Sequence, residues 1–277
     1  MPELPEVETV CRSLRPHVVE RQITAVHATV DTLRLPVDLE GLRNACTGRK
    51  LTAVRRRGKY IIVEMDAPRC LLLHLGMTGA FRVCAEDIPF DNYDRVSWSF
   101  SDGTAWRFED IRRFGSVQVC AMPVPGAFPD CLRHLGPEPL NDTFDADYLS
   151  DVIRGRKQPI KNLLMDQRTV VGVGNIYANE ALFRAGIRPG RKSGHVGRAR
   201  IASLVGHTKT VLEEAIALGG TTISDFKAPD GKEGKFRLSL QVYGKEGHAC
   251  PRCTGTVAIR RTVLGGRATF HCPRCQH

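Results

Sequence analysis

Residues 250–275 read CPRCTGTVAIRRTVLGGRATFHCPRC. Two CxxC pairs, Cys250/Cys253 and Cys272/Cys275, enclose eighteen residues. Each CxxC turn aims two sulfurs at one centre, and a hairpin of the intervening length brings the two turns together. Four thiolates then complete a tetrahedral site, so the pattern predicts one Zn2+ ion held by Cys250, Cys253, Cys272 and Cys275. Four protein ligands leave no open coordination position, which makes the metal structural. A redox pair is the competing reading, but two pairs at this spacing favour the metal. VAIRRTV (257–263) and RATFH (267–271) supply the two strands of the hairpin. Arg260, Arg261 and Arg267 surround it, and a basic ribbon held by metal suits a phosphate backbone.

Working outward, the other six cysteines (Cys11, Cys46, Cys70, Cys84, Cys120, Cys131) are scattered singly and read as reduced packing residues. The chain has 277 residues, 42% hydrophobic and 25% charged, ordinary values for a globular protein of about two domains. No apolar run has transmembrane length and no signal peptide opens the chain, so a cytoplasmic protein with no membrane partner is expected. Lys and Arg outnumber Asp and Glu by 40 to 30, a formal charge of +10 that favours a polyanionic partner.

Upstream of the ribbon the periodicity changes character twice. Residues 6–15 (EVETVCRSLR) place Val7, Val10, Cys11 and Leu14 on one helical face, with Pro16 as the expected stop. From about 23 to 121 short apolar or alternating runs follow, divided by turn residues. Ser101-Asp102-Gly103 reads as a hairpin between Trp98 and Trp106. Strands at this spacing predict a β-sandwich or barrel with the N-terminal helix packed on it. Five prolines between Pro123 and Pro139 mark the connection to a helical part. There, 145–154 carries Leu149, Val152 and Ile153 on one face. Residues 198–218 put Ile201, Leu204, Val205, Val211, Leu212 and Ala215 inward, and Gly219-Gly220 close the helix.

PIKNLLMDQRTVVGVGNIYANEALFRAGIRP (159–189) lies between those helices. A short helix over 160–167 is followed by Gly172 and Gly174, then by a helix with Asn175 as expected N-cap that ends at Gly186. A glycine turn at a helix N-terminus offers backbone N–H groups to an anion, so Gly174 and Asn175 would cradle a phosphate beside Lys161, Arg156 and Lys157.

The chain begins MPELPEVETV. Methionine aminopeptidase removes Met1 ahead of a small residue, and Pro2 then carries a free secondary amine. With a reference pKa of ~7.7–8.0 such an amine is partly neutral and nucleophilic at physiological pH. Its attack on a sugar carbon gives an iminium that cannot shed its charge, an electron sink for eliminations. Glu3 beside it can act as general acid or base.

PELPEVET resembles the N-terminal signature of the formamidopyrimidine-DNA glycosylase family. RRRGKY (55–60), LHLGMTG (73–79), RRFG (112–115), LGPEPL (135–140), the block 164–187, QVYG (241–244) and the ribbon ending RATFHCPRCQ resemble the same family in the same order, over essentially the whole chain. The resemblance implies a bacterial, cytosolic base-excision enzyme that removes 8-oxoguanine opposite cytosine and formamidopyrimidines, then nicks by β- and δ-elimination. It implies roles residue by residue. Pro2 is the nucleophile at C1′ and Glu3 protonates the opening sugar. Lys59 donates the proton for β-elimination, and Arg267 grips phosphates flanking the lesion and serves δ-elimination. Met77, Arg112 and Phe114 fill the void left by a flipped base. Arg156, Lys161 and Asn175 contact phosphates. Tyr93 stands at a DNA-contact position where relatives often carry histidine, and Ser224 at a capping-loop position where some carry a basic residue.

The expected architecture is therefore α+β and multidomain. A catalytic β-sandwich with a flanking helix covers 1–130. A helix–two-turn–helix domain covers 131–235 and includes a lesion-capping loop at about 221–235. The zinc hairpin covers 236–277. The expected partner is double-stranded DNA with oxidised bases or abasic sites, bound by a monomer. Two other readings compete: an endonuclease VIII-like enzyme for oxidised pyrimidines, and a non-enzymatic zinc-ribbon binder of damaged DNA.

Overall fold

A computed structural model describes residues 2–122, 124, 126–221, 239–253 and 257–277. The chain divides into two compact units, 1–133 with 219–234, and 134–218 with 235–277.

Unit 1 is a β-sandwich. Its first sheet has the order β1-β6-β7-β5, from strands Ile23–Ala28, Asp94–Phe100, Thr104–Asp110 and Gly79–Ala85. The second has the order β2-β3-β4-β8, from Leu51–Arg57, Tyr60–Met65, Ala67–His74 and Ser116–Ala121. All pairings are antiparallel. Alternation puts Val54, Ile61, Val63, Leu71 and Leu73 of one sheet against Val96, Trp98, Trp106 and Phe108 of the other, all within 1% of complete burial. The expected hairpin is present: Trp98 faces Trp106 across the β6–β7 pair, and their rings stack 4.4 Å apart.

Helix α1 (Leu4–Val18) covers this core with Val7, Val10, Cys11 and Leu14, as the periodicity predicts. It does not stop at Pro16. A proline so near the C-terminus removes only one helical hydrogen bond, and two more residues of helix bury Val18 completely. Helix α2 (Leu39–Cys46), unread from the sequence, starts where Asp38 accepts from the Gly41 amide at 2.8 Å. Strand β5 was also unread.

Unit 2 contains α3 (Ala146–Ile153), α4 (Ile160–Leu164), α5 (Asn175–Arg184), α6 (Arg198–Ala217) and the hairpin β9 (Arg260–Leu264) with β10 (Arg267–His271). On α6 the six residues expected inward are all buried. Gly174, not Asn175, is the N-cap of α5. Glycine adopts the cap's extended backbone without a side chain, which releases the Asn175 amide for another partner. Among the described residues no helix is long and apolar enough to cross a membrane.

Candidate active site and nucleic-acid interface

One edge of the β2-β3-β4-β8 sheet collects the N-terminal candidates. The register aligns Arg57, Tyr60, His74 and Ser116 as a row across all four strands. What leaves the sheet at this row is loop: the Gly58–Lys59 turn, residues 75–78, and residues 111–115. Helix α1 reaches the same row. Arg15 donates to the Val54 carbonyl at 3.0 Å, the Cys11 thiol to Arg55 O at 3.7 Å, and Arg56 to Glu8 at 3.0 Å. Strand numbers rise as helix numbers fall, so the two run antiparallel and the start of α1 lies toward the Gly58–Lys59 turn. Pro2, Glu3 and Lys59, all buried, come to one end of the sandwich.

Glu3 caps α1, and Glu6 completes a capping box by accepting from the Glu3 amide at 2.8 Å. Pro5 is tolerated because first-turn amides have no helical acceptor. The other oxygen of Glu6 accepts from the Thr221 amide (2.8 Å) and hydroxyl (3.0 Å). Gly220 lies beneath it at φ +80°, and a Cβ there would come within 3.0 Å of Glu6 Oε1. One buried carboxylate thus fixes both the N-terminal turn and the start of the segment read as the capping loop. The rest of that loop, Ser224 included, lies outside the described residues.

His74 stands in the row, its ring edge-on to Tyr60 at 5.1 Å. Its Nδ1 accepts from the Gly76 amide at 2.9 Å, which puts the ring proton on Nε2. Burial, with Arg34 and Lys59 nearby, lowers its pKa from 6.5 to about 4. The unfolded chain therefore binds more protons than the folded one between these values, and stability falls as pH drops from about 6.5 toward about 4. At most about 3 kcal/mol is involved. His74→Gln is expected to flatten the stability–pH curve in that window, as followed by denaturant midpoints. An equally steep curve in the variant would place the acid sensitivity elsewhere.

Met77, Arg112 and Phe114 sit on two loops locked to each other. Gly76 takes φ +61°, and a Cβ there would lie 2.3 Å from the Phe114 carbonyl carbon, so only glycine allows this approach. Buried Asp110 accepts from Thr78 Oγ1 (2.6 Å) and the Gly115 amide (2.7 Å), and the Arg112 amide donates to Thr78 (3.1 Å). Arg113 adopts φ +56°, a backbone that non-glycine residues take rarely. Phe114 stands 45% exposed with the Arg112 guanidinium 4.7 Å over its ring. Phe114 is thus an exposed aromatic on a braced loop and not part of the core. Tyr93 is 46% exposed just before β6, and its carbonyl receives the Asp110 amide.

Unit 2 carries the remaining candidates. Cys250, Cys253, Cys272 and Cys275 bring their sulfurs within 4.8 Å of one another. Cys250–Cys275 and Cys253–Cys272 are 3.8 and 3.7 Å apart. A metal ~2.3 Å from four tetrahedral sulfurs sets them about 3.8 Å apart, so the donor set fits a thiolate-bound metal ion. The hairpin turns at Gly265–Gly266, both at positive φ, the two-residue turn whose twist matches antiparallel strands. A Cβ on Gly265 would meet Asn162 Nδ2 at 2.9 Å, so the tip rests on α4. Arg260, Arg261 and Arg267 are exposed, as is Arg156.

Lys161 is completely buried. Its ammonium donates to Ala268 O (3.1 Å) and Thr269 Oγ1 (2.7 Å), and Asn175 Nδ2 donates to the same Ala268 carbonyl (3.0 Å). Both residues read as phosphate contacts thus hold the strand that begins with Arg267. The Gly174 N-cap of α5 makes no side-chain cap hydrogen bond.

Two positioning residues escaped the sequence reading. Asn179, fully buried, accepts from the Phe270 amide at 2.7 Å. Glu180, also fully buried, accepts from the amides of Gln241, Val242 and Tyr243 at 2.9, 2.9 and 2.8 Å. Glu180→Ala leaves these three amides without that acceptor and is expected to cost about 3 kcal/mol or more. Glu180→Gln keeps one oxygen and should cost less. Chemical denaturation of the full chain checks this, and an unchanged midpoint for Glu180→Ala would refute it.

Residues 1–117 match the formamidopyrimidine-DNA glycosylase N-terminal domain and 135–227 match the H2TH domain of the same enzymes. The formamidopyrimidine-DNA glycosylase of Paracoccus denitrificans is 46% identical with both chains wholly covered. That of Thioalkalivibrio sulfidiphilus is 47% identical at the same coverage. Among solved structures, the Lactococcus lactis enzyme with DNA containing N7-benzyl-Fapy-dG superposes with a TM-score of 0.89 at 33% identity, covering both chains fully. The same enzyme with DNA containing an oxidised pyrimidine gives 0.88 at 33% identity, again with full coverage of both chains. With abasic-site DNA it gives 0.87 at 32% identity and 99% coverage of each chain. The match over both domains and the identity over the whole length give one conclusion: this chain is a member of the formamidopyrimidine-DNA glycosylase family, a base-excision-repair DNA glycosylase with abasic-site lyase activity.

Proposed function

We propose that the enzyme excises oxidised purines, 8-oxoguanine opposite cytosine and formamidopyrimidines, from double-stranded DNA and nicks the product by β,δ-elimination. The observation that carries this reading is the convergence of Pro2, Glu3 and Lys59 on the sandwich end that also presents Met77, Arg112 and Phe114. After Met1 removal the Pro2 amine attacks C1′. The N–C1′ bond forms, the glycosidic bond breaks, and the base leaves with a proton. Glu3 protonates O4′ as the ring opens, which leaves an iminium. Lys59 supplies the proton for β-elimination, and Arg267 holds flanking phosphate through δ-elimination. Phe114 enters the emptied stack, Met77 fills beside it and Arg112 donates to the estranged base, offsetting part of an unstacking cost of a few kcal/mol. Arg156, Lys161 and Asn175 contact phosphates beside the Gly174 turn that opens α5. Tyr93 contacts the backbone. A zinc ion held by the four cysteines keeps the hairpin folded.

Borohydride trapping tests this. A covalent adduct with an 8-oxoguanine·C duplex is expected, and its absence with correctly processed protein would favour a non-enzymatic binder. Because a relative was solved on an oxidised pyrimidine, thymine glycol is the second arm. Preference for it would reassign the substrate class. Binding should weaken steeply with salt, since phosphate contacts dominate it.

A further inference from the structure

We propose that Cys120 and Cys131 are a peroxide-oxidisable dithiol that forms an intrachain disulfide, a modification site distinct from the metal-binding cysteines. Cys120 lies near the end of β8 and Cys131 in the short 3-10 turn Asp130–Leu132. Both are reduced, and their sulfurs are 3.7 Å apart, in van der Waals contact. Side-chain rotation must shorten this to a bond of ~2.05 Å. Cys131 is exposed and Cys120 half-buried. Cys70, opposite Cys120 on β4, is buried in the core.

That difference sets the order of events. The Cys131 thiolate attacks one oxygen of hydrogen peroxide; the O–O bond breaks, and the departing hydroxide takes up a proton and leaves as water. Cys131 is now a sulfenic acid. The Cys120 sulfur attacks it, the S–O bond breaks, and a second water leaves with the Cys120 proton. Together the two thiols lose two electrons and peroxide becomes two waters. Burial, with Cys131 beside it, pushes the Cys120 thiol up to about 12, which suits the resolving role and not the first attack.

The bond would fix what lies between the two cysteines. Arg55 donates to the carbonyls of Gly126 (2.6 Å) and Ala127 (2.8 Å), and the guanidinium groups of Arg55 and Arg57 each sit 5.3 Å over the Phe128 ring. Oxidation would therefore clamp a shelf under β2, whose next turn holds Lys59.

The test uses the full chain with its metal bound, treated with hydrogen peroxide, alkylated and mapped by mass spectrometry. A cross-linked peptide joining Cys120 and Cys131 is expected, two hydrogens lighter than its reduced parts. It should be reversed by dithiothreitol and absent in Cys120→Ser and Cys131→Ser. Oxidised wild type should melt several degrees above the reduced protein, and Cys131→Ser should show no such rise. Three results would overturn the proposal: Cys131 over-oxidised while Cys120 still alkylates, a Cys70–Cys120 link, or oxidation confined to the four C-terminal cysteines. Because Cys131 is exposed, matching melts of its serine variant and reduced wild type would show that loss of the cross-link is chemical.

Discussion

Pro2→Gly is expected to reduce excision and borohydride trapping by about 1,000-fold or more while leaving affinity for lesion DNA within about threefold. Glycine still offers an N-terminal amine, but a primary one, whose imine can lose a proton and its charge. Proline's ring also fixes the nitrogen against a helix start already pinned by Glu3 and Glu6. Removing the ring frees the amine without unseating the capping box, because Glu6 grips the amide of Glu3 and not residue 2. Affinity is expected to come from phosphate contacts far along the chain, so it should survive. Single-turnover excision and a binding titration on one duplex separate the outcomes. Equal loss of both would make Pro2 a structural residue.

The second large effect is expected in unit 2. Cys250→Ser, or removal of the metal by a chelator, should lower DNA affinity by about 100-fold or more. The apolar cluster behind the ribbon is small: Phe183, Val242, Ile259 and Phe270 with three of the ligand cysteines. Such a cluster cannot hold a two-stranded hairpin alone, so the energy of metal binding is largely the energy of folding it. Arg260, Arg261 and Arg267 would lose their shared frame together. Both tryptophans, Trp98 and Trp106, lie in unit 1, so an unchanged near-ultraviolet tryptophan signal would show that the sandwich survives. Retained DNA affinity in metal-free protein would remove the ribbon from the interface.

Periodicity revealed helices wherever one face is buried and the other wet, as on α1 and α6; the β6–β7 hairpin, buried on both faces, was legible from its Ser101-Asp102-Gly103 turn. It missed α2, whose eight residues include a glycine and only three buried positions. It also missed β5, where a glycine and partly exposed residues blur the alternation. Pro16 misled because a rule for helix interiors was applied to a last turn. Motif chemistry singled out the four cysteines, whose sulfurs the fold brings together, and it proposes Pro2 and Glu3, because such residues would act through their own atoms. Glu180 and Asn179 act through backbone amides some 60 to 90 residues away, and no local pattern carries that information. One signal existed: on α5 every residue from Ile176 to Phe183 is buried. An Asn-Glu pair inside so apolar a helix needs partners from elsewhere in the fold.

Glu6 and Glu180 also make the intervening stretch a cassette with two sockets. Thr221 plugs into one through a backbone amide and a hydroxyl, Gln241 to Tyr243 into the other through backbone amides alone. Amides are common to nearly all residues, so neither socket reads much of the sequence it holds. Substitutions that keep these backbone amides in place leave both carboxylates satisfied, whatever side chains the residues at 241–243 carry.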